Sequence, residues 1–113
     1  MAATTHALLD RATLKQSDSS SAEQILDLGD ADALEIVLAV DTPCEGEGAR
    51  LVLRHAPSLT SPQWLDFPVA VAISLHRKDR IWISAPRFTR YVGWAVEGVL
   101  TTDAIASVEI VPK

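Results

Sequence analysis

The 113 residues are one domain's worth, enough to bury a core without disulfides or a structural metal, and the 48% hydrophobic share excludes wholesale disorder. No apolar run reaches the roughly 18 to 20 residues of a membrane-spanning helix. A net charge of −5 argues against nucleic acid, where affinity comes largely from neutralising phosphates.

That charge is unevenly placed. Residues 1–48 hold 10 acids and 2 bases and residues 49–113 hold 5 and 8, so the two parts carry about −8 and +3. Two readings are open: pairing across strands within one fold, or complementary patches on neighbouring copies. The single cysteine, Cys44, has no partner for an internal disulfide and suits a reducing compartment.

Residues 1–24 read as an N-terminal arm. The first six, Met-Ala-Ala-Thr-Thr-His, have neither a basic nor an apolar region of the kind that opens a secretory signal, so folding in the cytoplasm is expected. His6 to Gln16 fits a short helix or a first edge strand, and Ser17 to Ser21 is a polar connector. Residues 25–113 read as one β domain. Gly29-Asp30-Ala31-Asp32 is a turn, after which Leu34, Ile36, Leu38 and Val40 fall on one face of a strand by the two-residue period. Thr42 to Gly48 is a polar hairpin loop, and Arg50 to His55 is expected as the partner strand, with Arg50 or Arg54 opposite Glu35 or Asp41.

Ala56 to Asp66 is an irregular crossover whose Trp64 is expected to close one end of the fold. Phe67 to Leu75 alternates large and small residues, and His76 to Asp79 is an exposed turn. Arg80 to Val96 then holds two of the three tryptophans and the only tyrosine, in two strands split by Pro86 and expected at the centre of the sandwich. Trp82 is expected in the core; Val92, Trp94 and Val96 point inward. Ile105 to Val111 is the last strand. About seven or eight short strands with frequent turns predict an all-β, antiparallel β-sandwich or jelly-roll-like barrel.

Catalytic equipment is sparse. His6, His55 and His76 lie far apart, form no dense ligand motif, and read as exposed strand-end residues, so no metal or other cofactor is expected. Cys44 stands in an acidic loop that disfavours a thiolate. No serine occupies a nucleophile elbow, and Gly46-Glu47-Gly48 would repel phosphate. Asp66, Asp79, Glu97, Asp103 and Glu109 fall at strand ends or outward positions, where solvation is the plain expectation. No enzyme is therefore expected, and neither a small-molecule substrate nor a membrane partner. Trp64, Trp82 and Tyr91 are the aromatics that a carbohydrate-binding module would use, and that class is the alternative.

Two surface features point to contacts. Val37, Ala39, Ala70, Ala72, Gly93 and Ala95 make the outward positions unusually small and uncharged, where a wetted sheet carries polar residues. Their cover is either the N-terminal segment or a neighbouring subunit. Arg77, Lys78, Arg80, Arg87 and Arg90 read as one basic cluster, solvated or set against an acidic surface of another copy.

The run from Leu26-Asp27-Leu28-Gly29 through Leu34–Val40, Leu51-Val52-Leu53, the Ser-Pro loop ending in Trp64, and Phe88-Thr89-Arg90-Tyr91-Val92-Gly93-Trp94 resembles the small β-sandwich structural proteins of tailed bacteriophages and prophages. That resemblance spans most of the chain. It implies a non-enzymatic virion protein, such as a capsid decoration, head–tail or tail-associated component, whose partners are copies of itself and other virion structural proteins. Gly93 and Ala95 depart from it, standing where such proteins often carry arginine.

Overall fold

The computed structural model describes residues 4–21, 24–60, 63–67 and 71–113. Among these, nine strands are formed: β1 (His6–Leu14), β2 (Leu26–Asp27), β3 (Ala33–Thr42), β4 (Gly46–Ala56), β5 (Leu65–Asp66), β6 (Ala72–Ser74), β7 (Asp79–Pro86), β8 (Tyr91–Leu100) and β9 (Ala104–Pro112). They make two antiparallel sheets. The first has the order β1-β9-β3-β7; the second has β2-β8-β4, with β5 and β6 both paired to the far side of β4. With β5 and β6 counted as one interrupted strand, the chain passes from sheet to sheet in the order of an eight-stranded jelly roll.

The core lies between the sheets and follows from the period of two. Leu34, Ile36, Leu38 and Val40 of β3, Leu51 and Leu53 of β4, Val92, Trp94 and Val96 of β8, and Ala106, Val108 and Ile110 of β9 are all buried in one cluster. Each large aliphatic side chain taken out of water contributes about 1.5–3 kcal/mol.

Three expectations about neighbours are corrected. β3 and β4 are not a hairpin. They belong to different sheets and turn their aliphatic rows toward each other across the core, so Arg50 and Arg54 pair with Glu97 and Asp66. Glu35 pairs instead with Lys113, and Asp41 with Arg11. β7 is an edge strand, whereas β8 is interior, because among the described residues β7 has β3 on one side only. Of Phe67 to Leu75, residues 68–70 lie outside the described residues, and among the rest Ala72–Ser74 is strand, with Phe67, Val71, Ile73 and Leu75 buried.

Of the arm, His6–Leu14 is the edge strand β1, not a helix. The connector then crosses to the second sheet, where Asp18 to Ser20 runs along the edge of β8. Val96 N–H donates to the Asp18 carbonyl and Ser20 N–H to that of Trp94.

Candidate functional site

The small outward residues do not share one face. Val37 and Ala39 lie on the outside of the first sheet, Ala72, Gly93 and Ala95 in the second, and Ala70 lies outside the described residues. Gly93 and Ala95 are buried and offer no docking surface. A Cβ on Gly93 would meet Ser20 Oγ at 2.5 Å and the Trp64 ring at 3.1 Å and 3.3 Å, so the chain's own connector and Trp64 fill that place. Trp64 thus lies over the outside of β8 and does not plug an end of the sandwich.

The basic cluster also divides. Arg77 and Lys78 occupy the turn before β7, while Arg87 and Arg90 lie beyond its other end, about 25 Å away along an eight-residue strand. Arg87 donates to the carbonyls of Gly29 and Ala31. Arg90 makes a two-pronged pair with Asp27, at 2.9 Å and 2.8 Å. These bonds, with the Gly29 N–H as a further donor, hold the Asp27 carboxyl well below the usual range, at about 2. Both arginines therefore staple the turn after β2. Arg80 alone stays on the outer face, and neither its side chain nor that of Lys78 meets a carboxylate among the described residues.

Two of the three histidines have structural work, and His6 is exposed at the start of β1. His55 is buried, contrary to the exposed reading, because it shares the inward parity of Leu51 and Leu53. Its Nδ1 lies 2.9 Å from Thr89 Oγ1, and its ring meets Phe67 and Phe88 at 5.2 Å and 5.5 Å between centroids. His76 accepts the Ala49 N–H on Nε2 and sets Nδ1 toward the Cys44 carbonyl, tying the turn before β7 to the start of β4. Burial raises the pKa of the Cys44 thiol. Asp66, Asp79, Glu97 and Asp103 each pair with a Lys or Arg, and Glu109 is exposed.

The exposed feature that stands out is Trp82, 71% accessible on β7 and not in the core as expected. The strand alternates: Ile81, Ile83 and Ala85 turn inward, and Arg80, Trp82 and Ser84 outward beside Ala39, Val37 and Glu35. The signal was present in the sequence, since a tryptophan whose neighbours two residues away are Arg80 and Ser84 shares their face, while Ile81 and Ile83 claim the other.

The backbone of β7 matters as much. Arg87 N–H donates to the Asp32 carbonyl, which makes those two a hydrogen-bonded pair. Antiparallel pairs alternate, so Ala85, Ile83 and Ile81 bond to β3, while the N–H and C=O groups of Trp82 and Ser84 point away from it. Arg80 N–H points the same way and is taken by the Asp79 carboxylate at 2.8 Å. Pro86, which has no N–H, ends the run.

The other sheet edges are blunted. β1 breaks register between Ala7 and Leu9 and again between Leu9 and Ala12, with Arg11 at a φ of 48°. β2 and β5 have two residues each and β6 three. Short or bulged edges resist pairing with another chain, yet β7 keeps unbroken register over its eight residues, Asp79 to Pro86. Compared with protein-family models, curated proteins and solved structures, the chain matches none of them.

Proposed function

We propose that the chain is a non-enzymatic structural protein of a phage or phage-like particle, working through protein–protein contacts with copies of itself and other particle proteins. The observation that carries this reading is the regular edge of β7, unpaired among the described residues, with Trp82 exposed beside it. Extended edges bind other chains by strand addition, and a large aromatic is the side chain most often found as an interface anchor. The jelly-roll order is used by viral capsid domains and by lectins alike, so the architecture by itself does not choose between them. The test is mass spectrometry and negative-stain imaging of particles purified from the source strain. Recovery of this chain in stoichiometric proportion to the main particle proteins supports the reading, and its absence from purified particles refutes it.

The same exposed indole favours a second reading, a carbohydrate-binding module, because a planar ring exposed beside Arg80 and Ser84 on the outer face is a stacking platform for a sugar. A glycan array separates the two: a signal lost in Trp82→Ala supports saccharide binding, and a blank array removes it.

A further inference from the structure

The sequence of the open edge is symmetric about its tryptophan: Arg80-Ile81-Trp82-Ile83-Ser84 reads Ile-Trp-Ile from either end. A twofold contact needs a patch that is its own complement, and this strand meets that condition in backbone and in side chains.

We propose that two copies of the chain pair β7 against β7, antiparallel, about a twofold axis at Trp82, joining two four-stranded sheets into one of eight strands. This deepens the reading above by naming the partner. In that register Trp82 N–H and C=O meet their own equivalents across the axis. Ser84 N–H of each copy donates to the Arg80 carbonyl of the other. Those four bonds leave the Asp79–Arg80 contact in place.

The side chains agree. On the outer face the two Trp82 rings meet across the axis, and Arg80 lies opposite Ser84. On the inner face Ile81 lies opposite Ile83, extending the half-buried row already packed on each core. Asp79 falls opposite Ala85, so no like charges are opposed. Moving the axis one residue toward the C-terminus would set Arg80 against Pro86, which lacks the N–H needed for a two-way pair, and moving it the other way would bring Lys78 and Arg80 of the two copies closer together. The Trp82 register is therefore the favoured one.

The test is analytical ultracentrifugation of the full chain from micromolar to roughly millimolar concentration, with hydrogen exchange at both ends of that range. A concentration-dependent dimer is expected, with the amides of Trp82 and Ser84 slowed in it while those of β1 are not. Ser84→Pro removes two of the four bonds without touching a bond to β3, and is expected to raise the dissociation constant on the order of tenfold to a hundredfold. Trp82→Thr, at an exposed position indifferent to folding, is expected to weaken the dimer comparably. A chain that stays monomeric throughout, or a dimer that both variants leave unchanged, overturns the proposal. A monomer that still enters particles through another partner overturns it too, and leaves the particle reading standing. A β7-dependent dimer found in no particle supports the pairing and removes that reading.

Discussion

Gly93→Ala is the sharpest probe of the architecture, because it tests whether the connector and Trp64 occupy the outside of β8. The new methyl would lie 2.5 Å from Ser20 Oγ and 3.1 Å from the Trp64 ring. Ser20 relieves the first clash by rotating, which breaks its bond from Trp94 N–H and leaves that buried donor unpaired at a cost of about 1–3 kcal/mol. Trp64 must also retreat by a few tenths of an ångström, an overpacking strain of about 1 kcal/mol. Against these stands a gain of about 0.5–1 kcal/mol from replacing glycine in a strand. The net is about 2 kcal/mol, a fall in Tm of roughly 8 °C for a domain of this size. Thermal and urea unfolding followed by circular dichroism measure it. In a Ser20→Ala background that donor is already unpaired, so the cost should shrink to the Trp64 strain less the glycine gain, roughly 0–0.5 kcal/mol, a coupling of about 1–3 kcal/mol. A Gly93→Ala protein within about 0.5 kcal/mol of the parent, or no change in cost with Ser20 removed, would refute the packing described here.

Asp27→Asn should flatten part of the acid response. The folded carboxyl titrates at about 2 and the unfolded one at about 4, so its stabilisation is present above pH 4 and lost as pH falls toward 2. The stability gap between parent and variant should close over that window, and a gap constant with pH would count against the Arg90 bond. Cys44, buried and with its thiol pKa raised, should resist Ellman's reagent until the protein is unfolded; rapid native labelling would contradict that burial. Trp82→Ala should shift stability by less than about 0.5 kcal/mol, whereas Trp94→Ala should cost about 3–5 kcal/mol. Trp94→Phe should cost much less than Trp94→Ala, because the Trp94 Nε1–H has no hydrogen-bond partner among the described residues and its loss offsets part of the lost volume.

Which side chains share a face was legible wherever the period of two ran cleanly. The inward rows of β3 and β8 and the inward Leu51 and Leu53 of β4 follow from alternation alone, and with them the all-β sandwich. Which sheet each strand joins was not legible, because that is decided by contacts between distant residues. β3 and β4 look like a hairpin in sequence, since a short polar loop joins two alternating strands. Crossing the sandwich instead sets two full aliphatic rows against each other. The same non-locality divided the small outward residues between two sheets and sent Arg87 and Arg90 to the turn after β2. Size argues for a buried Trp82 and polarity for an exposed His55, but the alternation along β7 and β4 overrides both.

The distribution of edge defects bears on how far any self-pairing can run. A regular open edge is a hazard in a monomer, since unpaired backbone recruits further strands. Here the hazard is bounded. Lys78 and Arg80 at one end and Pro86 at the other confine pairing to a few residues, and pairing β7 with β7 consumes the one regular edge found among the described residues of each copy. The alternative, β7 of one copy on β1 of the next, would propagate head to tail into a filament. The two register breaks in β1, with Arg11 in the left-handed region, stand against it. An isologous contact that closes at two copies is thus the outcome that this pattern of one straight edge and one bent edge permits.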